Sequence, residues 1–315
     1  MILKRQVKNQ AHSVLLFAGM LLLCSVLGWL IFGLLGVLVL GVSMSLLLLV
    51  APFVSPQLIL KMYRARPLSE REAPGLYREL RSLAARAGLH RTPPLFYVPS
   101  SIANAVTVGT SDKAAIALTD GLLRNLSMRE VTGVLAHELS HVRNGDGWVM
   151  SLADMVSQLV STMSWVGQLL LIINLPLFLM GSLSIPWLII LLLIFAPTLS
   201  ALLQLALSRT REYEADLDAA KLTGDPRGLA SALAKLERMS GSLFENILFP
   251  GRRVPEPSLL RSHPPTEERI QRLLELEDEL APGPEEPAHY SYRDIHGIPV
   301  HMVRGPRWHS SGLWY

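Results

Sequence analysis

The stretch "VLAHELSHVRN", residues 134–144, contains His137, Glu138 and His141 with the spacing H-E-x-x-H. Positions four apart lie on one face of an α-helix. His137 and His141 can therefore direct ring nitrogens at one ion, with Glu138 beside that ion. Two histidine ligands and a carboxylate general base are the arrangement of zinc metalloproteases. The alternative is a surface helix that carries two unrelated histidines.

A second segment, "TREYEAD" at residues 210–216, offers the remaining groups of such a site. A catalytic zinc ion usually has three protein ligands and a water molecule. Glu212 and Asp216 share a helix face, so Glu212 can be the third ligand. Asp216 can accept a hydrogen bond from the second nitrogen of a ligand histidine. Glu214 is the competing ligand candidate, and a charged helix start beside a membrane is the non-functional alternative.

The composition predicts a membrane protein. Half of the 315 residues are hydrophobic and 17% are charged, against a usual quarter. No charged residue occurs from Val14 to Val54 or from Met155 to Ser208, and each run is about two spans long. Turn residues lie near the middle of each run: Gly33 and Gly36 in the first; Asn174, Pro176, Gly181 and Pro186 in the second. The predicted spans are about 14–32, 35–54, 154–173 and 187–207. A buried hairpin in a large soluble core is the alternative.

The basic residues indicate the orientation, because cytoplasmic flanks of spans are rich in Lys and Arg. All basic flanks fall on one side of the two hairpins, which predicts that the soluble segments and both termini are cytoplasmic. The basic N-terminus reads as an uncleaved anchor, since its apolar run is too long for a signal peptide. Cys24 is the only cysteine, so no intramolecular disulfide forms. The net charge of +3 suits an anionic lipid surface, and no pattern predicts nucleic-acid binding.

The fold class that follows is a mainly α membrane protein. It has four transmembrane helices in two hairpins and a zincin-like α+β catalytic domain with a small sheet. Segments within 94–119 predict three strands, and Ser127 with Glu130 predicts a capping box at the start of the H-E-x-x-H helix. The predicted organisation is an N-terminus at 1–13, a hairpin at 14–54, a catalytic part at 55–147, a second hairpin at 148–207, a second catalytic part at 208–281 and a flexible tail at 282–315.

The linked motifs H-E-L-S-H, E-Y-E-A-D after a hydrophobic hairpin, and "SHPPTEERI" resemble the HtpX family of membrane zinc metalloproteases, relatives of the type I CAAX prenyl endopeptidases. The resemblance covers about residues 1–280. It implies that His137, His141 and Glu212 bind one Zn²⁺ per chain and that Glu138 is the catalytic base and proton donor. Asn104 matches the family's asparagine-alanine pattern near a strand that could pair with substrate, or is a turn residue. His263 matches its His-Pro motif and could donate to an oxyanion, or is structural.

The function expected on these grounds is zinc-dependent endoproteolysis of misfolded or damaged membrane proteins at the bacterial inner membrane. The partners are then a polypeptide substrate and the lipid bilayer, with the oligomeric state open. Three alternatives remain at this stage. They are an intramembrane protease, a prenyl-protein-type CAAX endopeptidase, and a non-catalytic membrane scaffold with a structural zinc ion, which would have four protein ligands.

Overall fold

A computed structural model describes residues 2–50, 56–109, 113–181, 185–247 and 265–277. The described chain is mainly helical with one small sheet, which confirms that part of the predicted fold class. The helices are α1 Ile2–Phe32, α2 Leu34–Val50, α3 Pro56–Met62, α4 Pro74–Arg86, α5 Asp120–Asn125, α6 Met128–Asn144, α7 Asp146–Leu179, α8 Trp187–Thr223, α9 Pro226–Ile247 and α10 Thr266–Glu277. The strands are β1 Arg66–Pro67, β2 Leu95–Val98, β3 Ala105–Val108 and β4 Ala115–Thr119.

Three helices of the described chain are long and apolar enough to cross a membrane: Val7–Phe32, Asp146–Leu179 and Trp187–Thr223. They contain three of the four predicted spans. The predicted span 35–54 begins in α2, an apolar helix of 17 residues, whereas a span needs about 20. Residues 51–55 lie outside the described chain. The fourth span therefore stays a prediction.

The chain divides into two compact units, and the division falls within one unbroken helix. The helical unit comprises Met1–Ser55, Gly145–Glu214 and Pro255–Pro264; the mixed unit comprises Pro56–Asn144, Ala215–Val254 and Pro265–Tyr315. The predicted tail and residues 255–264 lie outside the described chain. Helix α8 runs without interruption from Trp187 to Thr223, beyond the end of the predicted span 187–207. The apolar span and the "TREYEAD" segment thus belong to one helix.

The helical unit packs α1, α7 and α8 around a small apolar core. Fully or nearly fully buried members include Met20 and Leu27 of α1, Val156 and Val160 of α7, and Leu193 of α8. Helices α1 and α2 approach each other closely on either side of the turn at Gly33. A Cβ atom on Gly36 would overlap the carbonyl oxygen of Gly28, so only glycine fits there. Small residues commonly permit such close helix contact in membranes.

The turn between α7 and α8 differs from the predicted one. Asn174 and Pro176 were expected in the turn, but α7 continues through both to Leu179, so that part of the prediction is wrong. The chain turns at Gly181, where φ is +69°. The buried Asn174 side chain accepts a hydrogen bond from the backbone N–H of Ile185 (2.6 Å) and donates one to its carbonyl (3.1 Å). The amide therefore closes the turn from inside the helix.

The mixed unit contains a four-stranded sheet in the order β1-β2-β4-β3. Strands β2 and β4 are parallel, while β1 and β3 pair antiparallel with their neighbours. The three predicted strands are β2, β3 and β4; the two-residue β1 was not predicted. Leu60, Val98, Val108, Ala115 and Ala117 form an apolar cluster on the sheet. Strand β3 is an edge strand among the described residues and packs against α6.

Helix α6 lies at the centre of the mixed unit, against α4, β3 and α9. The predicted capping box is confirmed: Ser127 N–H donates to Glu130 Oε2 (2.8 Å), and Glu130 N–H donates to Ser127 Oγ (3.4 Å). Gly133 permits the contact with α9, since a Cβ atom there would lie 2.9 Å from the Leu229 backbone nitrogen. Gly145, with φ +67°, ends the helix and separates it from α7. The capping box and the close contact with α9 hold the H-E-x-x-H turn in place.

Candidate metal centre

The Nε2 atoms of His137 and His141 face each other from consecutive turns of α6. Their Nε2 atoms lie 3.1 Å apart, and the two rings meet edge to face with centroids 4.6 Å apart. Two nitrogen ligands on one tetrahedral zinc ion, each at 2.0–2.1 Å, lie about 3.3 Å apart. The spacing of the two nitrogen atoms therefore fits a shared zinc ion closely.

The Asp216 carboxylate contacts the His137 ring at Nδ1, the nitrogen that faces away from His141. Its Nδ1 lies 3.0 Å from Asp216 Oδ1, which leaves Nε2 directed at His141. Both side chains are buried. Metal-binding histidines commonly donate the second ring N–H to a carboxylate, which fixes the tautomer and ring angle. The structure thus places the Asp216 carboxylate beside His137, and its role toward a bound metal stays a prediction.

Asp216 is in turn held by Arg269 of α10. The Arg269 Nε and Nη2 atoms each donate to one carboxylate oxygen at 2.7 Å, and Arg269 is only 5% exposed. Burial by itself raises the pKa of Asp216, but the charge and hydrogen bonds of Arg269, aided by His137, hold that pKa below its usual value. A charged, doubly bonded Asp216 is a rigid partner for His137.

Glu212 precedes Asp216 by one turn of the unbroken helix α8, so both side chains lie on one face. Since Asp216 contacts His137, helix geometry brings Glu212 to the level of the histidine pair. Ligand atoms of His137, His141 and Glu212 all lie within 4.8 Å of one another. Two imidazole nitrogens and one carboxylate oxygen are a donor set of catalytic zinc sites, which keep a fourth position for water. The three residues therefore fit a catalytic zinc ion.

Glu138 lies next to His137 on α6 and is 8% exposed. Its Oε2 accepts a hydrogen bond of 2.6 Å from the Thr107 hydroxyl of strand β3, and the same hydroxyl is 3.3 Å from the Glu138 backbone carbonyl. This hydrogen bond restricts the orientation of the Glu138 carboxylate. The contact joins the Glu138 carboxylate to strand β3 through Oε2.

Glu214, the competing ligand candidate, is engaged inside the helical unit. It is 1% exposed, and its carboxylate accepts hydrogen bonds from Arg211 Nη1 (2.7 Å) and from Gln10 Nε2 (3.2 Å). Arg211 also donates through Nε to Asp146 at the start of α7 (2.6 Å). Glu214 thus belongs to a buried ionic network rather than to the histidine cluster.

The two weaker sequence predictions have different outcomes. The backbone of Asn104 is bonded to Thr119: its N–H donates to Thr119 Oγ1 (2.8 Å), and its carbonyl accepts from that hydroxyl (2.9 Å). Asn104 therefore marks the start of the edge strand β3, and its role toward substrate stays a prediction. His263 lies outside the described residues.

Arg269 and Thr107 were not singled out from the sequence. A signal for Arg269 existed, because it shares the buried face of α10 with Leu273 and Leu276, and arginine at an apolar-face position indicates a buried ion pair. Thr107 had no comparable signal, since threonine is an ordinary strand residue.

A model of peptidase family M48 matches residues 70–277, a range that includes every residue of this centre. The chain belongs to peptidase family M48. It is thus a metalloprotease by family, and its apolar helices make it a membrane protein.

Relatives with the name "Protease HtpX homolog" match most of the chain. The protein from Acaryochloris marina is 38% identical over 79% of this chain and 88% of its own. That from Nostoc punctiforme is 36% identical over 86% and 98%, and that from Pyrococcus furiosus is 36% identical over 72% and 81%. The crystal structure of S. mikatae Ste24p aligns with a TM-score of 0.48 at 22% identity, over 86% of this chain and 67% of that one; a likeness at this level supports no conclusion.

Proposed function

We propose that this M48 protein is a zinc-dependent endopeptidase of the bacterial inner membrane that hydrolyses misfolded or damaged membrane proteins. The observation that carries the proposal is the cluster of His137, His141 and Glu212, with the buried Glu138 carboxylate beside it on α6. Within the described chain the cluster has three members, which suits a site that also holds water. Family membership supports proteolysis as the reaction.

The chemistry assigned to Glu138 is proton transfer. Zinc, when bound, supplies Lewis acidity and lowers the pKa of water toward neutrality. Glu138 accepts one proton as the water oxygen bonds to the peptide carbonyl carbon. The same proton passes to the amide nitrogen as the C–N bond breaks, so Glu138 ends the cycle as it began. Thr107 holds Oε2, which directs the transfer to Oε1.

Substrate binding is assigned to the edge of the sheet. Strand β3 pairs on one side with β4, and an extended peptide could add to its other edge through backbone hydrogen bonds with little sequence preference. Asn104, at the start of that strand, is the proposed substrate-binding residue. From the family resemblance, His263 is proposed to donate a hydrogen bond to the developing oxyanion.

The cellular setting follows from the same sequence features. Arg143 precedes α7, and Arg209 follows the charge-free part of α8, which supports a cytoplasmic catalytic unit. Helix α8 continues from an apolar span into the turn that carries Glu212. A site joined so directly to a span suits substrates that emerge from the bilayer.

Replacement of Glu138 by Gln tests the mechanism. The full-length protein is purified with zinc, and cleavage of an unfolded membrane protein is followed with its metal content. We expect Glu138→Gln to retain zinc and to lose activity by about 10³-fold or more. The matched control is Glu237→Gln, an exposed glutamate of α9, which should behave as wild type. Undiminished cleavage by Glu138→Gln would refute the proton-transfer role of Glu138. Detection of a fourth protein ligand by metal spectroscopy would favour a structural zinc site.

A further inference from the structure

Four polar side chains form a continuous row between α7 and α8 in the helical unit. The Ser157 hydroxyl donates to Gln204 Oε1 (2.8 Å) and lies 3.0 Å from the hydroxyl of the fully buried Ser200. Gln204 Nε2 donates to Asp154 Oδ1. The row thus leads from a buried hydroxyl to an exposed carboxylate. We refer to Asp154, Ser157, Ser200 and Gln204 as the polar row.

The row lies where the two helices become apolar. The charge-free stretch begins one residue after Asp154, and Gln204 lies five residues before Arg209. The exposed face of the same helices carries large apolar side chains such as Trp165 and Leu202. By composition, Asp154 is therefore at the boundary between the hydrocarbon and the polar surface, and Ser157 and Ser200 lie about one turn deeper.

Interhelical packing alone does not account for Asp154. Hydrogen bonds among the two serines and Gln204 already join α7 to α8 without any charge. Ionisable residues within membrane-spanning helices are rare and usually functional, and Asp154 lies within the candidate span Asp146–Leu179. Within the described chain, Asp154 has no Lys or Arg partner, and Gln204 bonds to only one of its oxygens. The row therefore presents an acidic, membrane-level acceptor.

We propose that the polar row is a docking site for a Lys or Arg residue that flanks a transmembrane segment of the substrate. Such residues are concentrated at the cytoplasmic ends of spans, the same level at which Asp154 lies. Gln204 precedes Glu212 by eight residues on α8, about 12 Å along the axis. A chain docked at the row therefore needs at least about four extended residues to reach the metal centre. This inference rests on the proposed function and names the feature of membrane proteins that the enzyme recognises.

Competition between matched substrates tests the docking site. Three single-span proteins with the same unfolded cytoplasmic extension carry Lys, Gln or Glu at the cytoplasmic end of the span. They are cleaved together in vesicles by the zinc-loaded enzyme. We expect wild type to prefer the Lys substrate over the Gln substrate by about three- to fivefold, as for a partly exposed ion pair. Asp154→Asn, which keeps an oxygen for Gln204, should abolish the preference. Asp154→Lys should transfer it to the Glu substrate.

The control and the contrary results are distinct. Leu15→Lys introduces the same side chain at a residue of α1 that is 69% exposed, and it should keep the preference for the Lys substrate. Equal cleavage of all three substrates by wild type would overturn the docking site and leave the proposed function standing. An equal fall in the cleavage of all three substrates by Asp154→Asn, with a lower melting temperature, would show that the polar row only holds α7 and α8 together. Failure to cleave any substrate would remove both proposals.

Discussion

The Thr107 hydroxyl on strand β3 donates a 2.6 Å hydrogen bond to the carboxylate of Glu138 on helix α6. This contact joins the edge of the sheet to the residue proposed as the general base. The hydroxyl also lies 3.3 Å from the Glu138 carbonyl. Thr107 thus contacts both the backbone and the side chain of Glu138. The contact therefore couples the orientation of the Glu138 carboxylate to the position of strand β3.

Removal of that hydroxyl should slow the chemical step selectively. Thr107→Val keeps the shape and β-propensity of the side chain but leaves Glu138 without this donor. A hydrogen bond to a charged group is worth about 1.5–3 kcal/mol, so we expect kcat to fall by about ten- to hundredfold with KM and zinc content unchanged. Thr107→Ser should restore most of kcat. Wild-type kcat in Thr107→Val, or an equal loss in both variants, would contradict the positioning role.

Loss of Arg269 should weaken the metal site from a distance. Arg269→Leu leaves a buried Asp216 without its guanidinium partner, so His137 is no longer held in one orientation. Changes at such outer groups cost about 10- to 100-fold in metal affinity, which a competing chelator can measure without any activity assay. Arg272→Leu, which removes an exposed pair with Glu268, is the matched control. Equal zinc affinity in Arg269→Leu and in the control would show that Asp216 does not need Arg269.

Acidification should destabilise the start of α6 through Glu130. Burial raises the pKa of Glu130, but hydrogen bonds from Lys235, Ser231 and Ser127 outweigh it and leave the pKa lowered. A carboxyl group with a lowered folded-state pKa stabilises the protein above its unfolded pKa and loses that effect as the pH falls through the folded pKa. Glu130→Gln should therefore lower the unfolding free energy by about 1–3 kcal/mol at pH 7. This loss should shrink steadily as the pH falls below about 5.

The measurement for Glu130 is the difference in unfolding free energy between wild type and variant as a function of pH. Protonation of the metal ligands is common to both proteins, so it cancels in the difference. Glu237→Gln, exposed on α9, should show no such trend. A difference that stays constant from pH 7 to pH 3 would mean that Glu130 contributes through packing and not through its charge.

The buried network of Arg211 should be essential to the helical unit. Arg211 bonds to both Asp146 and Glu214, and removal of one member of a buried ionic group costs about 3–5 kcal/mol. Arg211→Met should thus lower the melting temperature of the detergent-solubilised protein strongly, whereas Arg209→Met, an exposed neighbour, should not. Arg211→Lys should be intermediate, because a single ammonium group cannot reproduce the planar fork. Equal melting temperatures for Arg211→Met and Arg209→Met would contradict this role.

Local spacing was sufficient for the parts of the molecule that lie within one helix. His137 and His141, like Glu212 and Asp216, are one turn apart, and a 3.6-residue period is a property of the backbone. The capping box at Ser127 likewise depends on a short spacing along the chain, and the apolar runs depend on composition and length alone. The turn between α7 and α8 was misplaced because Asn174, normally a turn residue, bonds to Ile185 from within α7.

The sequence by itself determined which residues could bind a metal and which segments are apolar, because both depend on side-chain type and on spacing along the chain. The tertiary structure decided what those residues contact. Arg269 reaches Asp216 from 53 positions away, and Thr107 reaches Glu138 from 31 positions away. No local period encodes such distances. They arise only when α10 and β3 pack into the mixed unit, where burial makes an unpaired polar group costly.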